Sequence, residues 1–293
     1  PSFGVYPDEC TSRGLDIVTA SAKSVAATFP TPVAVFADDV ARDKHTAAAL
    51  CKGLGLGNVT VVDGKIFDPV YNGVCDGPTD AQVAAALTAA AAAVPAVPSQ
   101  ASLVAAIQAA LGKGSAPPLA SISSQVSSSA YGPAYTGLAY IASWIAETWL
   151  LEQGAGLDVA WGNVSAAELY DMLKLHVYDL QVANPVPVAR PRASNVLAHI
   201  SAALAARNGT TFLVGHDTGM VSLGKLLDLS WGAPSPFPTN STPPGSMLRF
   251  DVSGDTVTAT FATTTFTTTA GTLLVGPAVF ASTATNTMSL SAF

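Results

Sequence analysis

The chain has 293 residues, 49% of them hydrophobic and only 11% charged, a balance that supports a large buried core and excludes a disordered tail. A formal net charge of -7, with 13 Lys and Arg and no basic run, argues against a nucleic-acid partner. Two apolar stretches, 81–97 and 130–151, are respectively too rich in alanine and too interrupted by Gly, Ser, Thr and Tyr to read as membrane spans.

In chain order, Leu15, Val18, Ala22 and Val25 give one apolar face to a helix over 11–29, which Pro30 and Pro32 end ahead of a strand at 33–36. A helix at 41–54 and a β-branched strand at 58–62 follow, so the opening third alternates in the α/β manner. Gly53, Gly55 and Gly57 leave a helix and enter a strand, the reverse of a phosphate-cradling turn, and read as a C-cap. Residues 80–184 then turn helical: an alanine-rich helix, a second at 103–111, a Ser/Pro-rich linker and two long amphipathic helices. After a helix at 196–207, the strand 210–214 and a helix at 220–229 restore the α/β pattern. Segments 247–252 and 256–261 flank Ser253-Gly-Asp255 and read as a hairpin. The expected architecture is α/β, with a central mixed sheet flanked by helices and built from residues 1–77 plus 186–293. A smaller all-α domain is inserted at 78–185.

Cys10, Cys51 and Cys75 have no CxxC spacing, which gives no zinc site and allows at most one internal disulfide. Sequons at Asn58, Asn163, Asn208 and Asn240 favour secretion and a glycoprotein. The first residue is Pro1, without an initiator Met or an apolar leader, and the expectation is that further sequence precedes it.

The run Thr211-Phe-Leu-Val-Gly-His-Asp-Thr-Gly-Met220 carries the strongest chemical signal. A strand stops at His216 and Asp217 and a helix follows, and in open α/β sheets ligands bind beyond the carboxyl ends of strands, where a helix start offers free N–H groups to an anion. The bland alternative is that both residues cap the helix. A second strand ends in the same way at Phe36-Ala-Asp-Asp-Val-Ala-Arg42. Arg42 there is either a forked clamp on phosphate or the partner of Asp38 or Asp39 in a surface ion pair.

Several segments together resemble the histidine acid phosphatases, in the branch that includes bacterial periplasmic phytases and glucose-1-phosphatases. Gly215-His-Asp-Thr218 resembles the HD motif, Ala37-Asp-Asp-Val-Ala-Arg42 the second phosphate-binding arginine segment, and Asp68-Pro-Val-Tyr-Asn72 the DPxFN turn. Glu147-Thr-Trp-Leu-Leu-Glu-Gln153, Trp161-Gly162, Leu175-His176, Val188-Ala-Arg-Pro-Arg192 and Thr242-Pro-Pro-Gly245 follow in the family's order. The resemblance implies a phosphoglycerate-mutase-like fold and an acid phosphomonoesterase acting on sugar or inositol phosphates and releasing inorganic phosphate. It implies that Asp217 is the general acid, that His216 and Arg42 hold phosphoryl oxygens, and that Glu147, His176 and Arg192 line the substrate pocket. His176 also reads as a packed helical histidine, and Arg192 as a surface charge. His45 and His199 match no family role and are expected to be exposed or packed against helices.

One departure is large: the family's nucleophilic histidine belongs to an RHGxRxP motif on the strand beside the HD strand, and this sequence contains no such motif. The covalent phosphohistidine mechanism needs that group. Three explanations stand: a missing N-terminal segment of an active enzyme, a degenerate phosphatase-fold protein that binds phospho-ligands or serves as a secreted scaffold, or a nucleophile supplied by another chain. The few cations expected near the pocket, Arg42, Lys44, Arg190 and Arg192, favour a general or sugar-phosphate monoesterase over a dedicated phytase. No metal or other cofactor is expected, and the location implied is secreted or periplasmic.

Overall fold

The computed structural model describes residues 3–6, 8–57, 60–112, 118–129, 132–232, 236–264, 266 and 273–293. The first elements are α1 (Ser12–Val25), β1 (Val33–Ala37), α2 (Ala41–Gly53), β2 (Thr60–Val62) and α3 (Gly64–Phe67). The Thr11 side chain caps α1 by accepting from the Gly14 N–H. Gly55, with φ of +72°, ends the turn after α2 in a conformation that L side chains avoid, as the C-cap reading of this glycine run requires. The first two residues of the strand expected at 58–62, and the sequon at Asn58, lie outside the described residues.

Next come α4 (Asp80–Ala93), α5 (Gln100–Leu111), β3 (Gln125–Ser129), β4 (Gly132–Thr136), α6 (Leu138–Ala155) and α7 (Ala166–Ala183). Where the sequence reads as a Ser/Pro-rich linker, β3 and β4 form an antiparallel hairpin. Serine composition hides it, because the hairpin is stabilised from outside: Tyr135 and Val126 pack against Val182, Tyr178 and the end of α4. The buried faces of α6 and α7 meet through Ala142, Ala146, Trp149, Leu169, Met172 and Leu173.

The chain continues with α8 (Val186–Ala206), β5 (Thr210–Val214), α9 (Asp217–Leu226), β6 (Leu229–Trp231), β7 (Met247–Ser253), β8 (Thr256–Thr264), β9 (Leu273–Phe280) and β10 (Thr287–Ser289). Helix α8 starts ten residues before the 196–207 expectation and carries Pro191 internally. Pro187, in the first turn, costs no intrahelical bond, and Val188 and Ala189 both donate to the Pro185 carbonyl to start the helix, whereas Pro191 in the second turn has no N–H to give the Pro187 carbonyl. Helix α9 starts at Asp217, three residues ahead of the apolar periodicity.

Strands β2, β1 and β5 form a parallel sheet in that order, so a late strand lies directly beside an early one. The other sheet is antiparallel, in the order β10-β8-β9-β6 with β7 on β8, and the expected hairpin is present as Val252↔Val257 and Ser253↔Thr256. Phe261, Phe280 and Trp231 fill the core of this second sheet, while Val35, Ala37, Ala47 and Cys51 fill the core between the parallel sheet and α2. Among the described residues no helix is long and apolar enough to cross a membrane.

Candidate active site

The site begins where β1 and β5 end together. Ala37 is in register with Val214, and the Asp38 N–H extends the ladder one step by donating to the Val214 carbonyl at 3.0 Å. Asp38 therefore leaves the sheet next to Gly215 and His216. His216 occupies the N-cap position of α9 in extended conformation, and Asp217 is the first helical residue, its Oδ1 accepting from the Thr218 N–H at 2.6 Å. A Cβ on Gly215 would lie 2.7 Å from the ring of Phe67, so only glycine lets the chain pass beneath that side chain.

Arg42, the second residue of α2, reaches back over the strand ends. Its Nη2 is 3.0 Å from His216 Nδ1, and its Nη1 pairs with the Asp8 carboxylate, so neither Asp38 nor Asp39 is its partner. A guanidinium only donates, so Nδ1 must accept and the His216 proton resides on Nε2. That N–H faces two carboxylates, Asp38 Oδ2 at 3.3 Å and Asp43 Oδ2 at 3.4 Å. Both acids are almost fully buried, and neither Oδ2 accepts a well-formed hydrogen bond. Burial raises the pKa of Asp38 and pushes Asp43 up to about 6, against the pull of His216.

The other half of the site comes from α6 and α7. His176 Nε2 lies 3.8 Å from Asp217 Oδ2, and Glu147 joins them within the same compact group. Burial pushes Glu147 up to about 7, with the charge of Asp217 acting in the same direction and Arg42 opposing it. Arg192 on α8 is half-buried, donates to Asn184 Oδ1, and feels the charges of Asp68 and Asp217. Burial lowers its pKa from the ordinary arginine value.

The structure thus gathers all six residues, Arg42, His216, Asp217, Glu147, His176 and Arg192, at one edge. Lys44 turns outward to Asp39 and Arg190 is exposed. His45 and His199 are exposed, His199 lying against the Phe36 ring. Sequence reasoning gave no role at the site to Asp43, or to Ser143 and Asp179 behind His176. The available signal was helical spacing: Asp43 follows Arg42, Ser143 precedes Glu147 by one turn, and Asp179 follows His176 by three residues.

Among the described residues, two groups of three are compact enough to hold a cation: Asp38, Asp43 and His216, and Glu147, His176 and Asp217. In the first, Nε2 carries the proton and has no lone pair to offer. In the second, burial pushes Glu147 up to about 7, so below that pH it holds a proton that a cation would have to displace.

Solved structures share this architecture. The phytase of Hafnia alvei in complex with myo-inositol hexakis sulphate matches with a TM-score of 0.85 at 21% identity, covering 99% of this chain and 87% of that one. Klebsiella sp ASR1 phytase gives 0.82 at 19% identity over 94% and 80% of the two chains. The phytase from Citrobacter braakii gives 0.79 at 23% identity over 99% and 88%. The fold of this chain is the one these phytases share. Over 143 residues, 44% of this chain, the sequence is 31% identical to the phytase AppA of Escherichia coli strain K12. That match spans 33% of the length of AppA. No family model matches the chain.

Proposed function

We propose that this chain forms the phosphate-holding and proton-donating body of an acid phosphomonoesterase acting on sugar or inositol phosphates. The observation that carries the reading is the 3.0 Å approach of Arg42 to His216 at the paired ends of β1 and β5, with Asp217 as the next residue. Arg42 and His216 neutralise phosphoryl oxygens, and Asp217 protonates the departing alkoxide. Glu147, His176 and Arg192 shape the pocket for the leaving group.

The attacking histidine comes, on this reading, from a segment outside residues 1–293 that lies along β5. Two features support it. Among the described residues β5 is an edge strand of its sheet, with backbone groups available for a further strand, and the Asp38 and Asp43 oxygens beside His216 that lack hydrogen-bond partners suit an added cationic group. Such a group also offsets the acids that otherwise repel a phosphate dianion. With Lys44 and Arg190 directed elsewhere, two arginines serve the pocket, and lightly phosphorylated esters fit this better than a dedicated phytate site. A secreted or periplasmic location accompanies the reading, and the sequon residues Asn163 and Asn208 lie exposed.

The test is phosphatase turnover by the full-length gene product in acidic buffer. Asp217→Asn should cost about 10²- to 10⁴-fold in kcat, the usual contribution of a positioned general acid, while Asp228→Asn leaves the rate unchanged. Phosphate binding without any turnover in the full-length protein would leave a ligand-binding scaffold in place of an enzyme.

A further inference from the structure

Where α7 ends and α8 begins, one buried amide joins the helices that carry the site. Asn184 is the C-cap residue of α7, and Pro185 after it is the N-cap residue of α8. Asn184 is 1% exposed, and its Nδ2 donates to the Leu180 carbonyl of α7 at 2.9 Å. Its Oδ1 accepts twice, from Arg192 Nη1 of α8 and from the Ser222 hydroxyl of α9 at 3.3 Å. Chemistry at both ends fixes the orientation of this amide, because a guanidinium only donates and a carbonyl only accepts. Ser222 is itself fully buried and shares α9 with Asp217, while α7 carries His176. The junction therefore ties Arg192 to the two helices that supply those residues.

Among the described residues no carboxylate stands within ion-pair distance of Arg192, and Asn184 is its one hydrogen-bond partner. The acids whose charges reach it, Asp68 and Asp217, lie beyond that distance. An arginine drawn out of water is ordinarily held by an acid. An aspartate at position 184 would grip the same fork through a charge-assisted bond, and in doing so would cancel its charge. A neutral amide fixes the direction of the fork and leaves the charge for something else. We propose that Asn184, steadied by Ser222, is a positioning residue that aims Arg192 at an anionic ester in the pocket while leaving its positive charge uncancelled. This rests on Arg192 lining the substrate pocket. It goes beyond that reading by explaining how the second pocket arginine is held and why its holder is an amide and not an acid. Asn184 touches no substrate itself and acts through Arg192.

The test is calorimetric binding of a sugar monosulfate, an anionic ester that the proposed phosphatase chemistry does not cleave, to the full-length protein. Asn184→Asp keeps the acceptor for Arg192 but adds a negative charge against it, and should weaken binding about tenfold or more. Asn184→Ala removes every side-chain hydrogen bond of the junction and frees the fork without changing the charge, so it should weaken binding by about three- to fivefold. A residue with a merely structural role gives the reverse order, because alanine then does the greater damage. KM for a sugar monophosphate should follow the same order as the affinities, with kcat changed less. With Arg192→Gln already in place, Asn184→Ala should alter the affinity by less than about twofold, since its effect passes through that side chain. Unchanged or tighter binding by Asn184→Asp, a greater loss in Asn184→Ala than in Asn184→Asp, or an equal Asn184→Ala loss with and without Arg192 overturns the inference. The expected pattern of affinities in a full-length protein that hydrolyses no phosphate ester leaves the inference standing and sinks the enzymatic reading alone.

Discussion

Arg42 shows how much chemistry one side chain is asked to carry. Its fork bridges Asp8 and His216 and, through Nδ1, dictates which His216 nitrogen is protonated. A lysine keeps the charge but loses the planar pair of donors. Arg42→Lys should therefore weaken inorganic phosphate binding at least about tenfold, as read by calorimetry, while the folded stability changes little. Gly215 is the opposite kind of constraint, set by space and not by charge. Gly215→Ala drives a methyl into the Phe67 ring and should destabilise the protein by about 1–3 kcal/mol in chemical denaturation. Phe67→Leu in the same chain should recover part of that loss, because the obstacle is the ring edge.

Among the elements, α7 matters most because it carries His176 and Asp179 into the site. Its start is fixed by a capping box: the Ser165 side chain accepts from the Glu168 N–H, while the Glu168 carboxylate accepts from the Ser165 N–H at 2.8 Å. The Ser165 hydroxyl, donating to the Glu168 carboxylate at 2.7 Å, and after it the Ser165 N–H lower the pKa of that carboxylate. Ser165→Ala should cost about 1 kcal/mol of stability and leave phosphate affinity unchanged, since the cap lies almost three turns from His176. A larger loss of phosphate binding than of stability would mean that α7 shifts along its axis when the cap is removed. The hairpin of β3 and β4 shows a different dependence: its strands are serine-rich, and it is ordered by the helices against which Tyr135 packs.

For the molecule as a whole, the site stores protons. Burial raises Asp43 and Asp179 to about 6 and Glu147 to about 7, above the ordinary values of 3.8 and 4.5. Each group binds its proton more tightly when folded, so its contribution to stability is full below the ordinary value and is lost as pH rises through the raised one. The melting temperature should fall between about pH 4.5 and pH 7.5, by several degrees if the three contribute even a few kcal/mol together. Glu147→Gln should flatten the upper part of that slope, between about pH 6 and 7, in a series of thermal melts. A melting temperature that rises across this interval would show that the three acids are not held neutral in the folded protein.

The α/β alternation, the hairpin at Ser253-Gly-Asp255 and the two strand ends at Asp38 and His216 are legible in the residues alone. These are local facts: apolar periodicity, turn residues and the abrupt change from strand to polar pair are written within a few positions of one another. His216, Asp217 and Arg42 stand out at those strand ends, whereas Glu147, His176 and Arg192 are singled out only through the resemblance to a known family. Only the tertiary structure decided that Arg42 faces His216 and not its neighbours Asp38 and Asp39, since that choice depends on the register of β1 against β5, residues 174 positions apart at the contact. It alone decided that Asp43, Ser143 and Asp179 belong to the site, because an acid or a serine acquires a distinctive role only when burial removes water as its alternative partner.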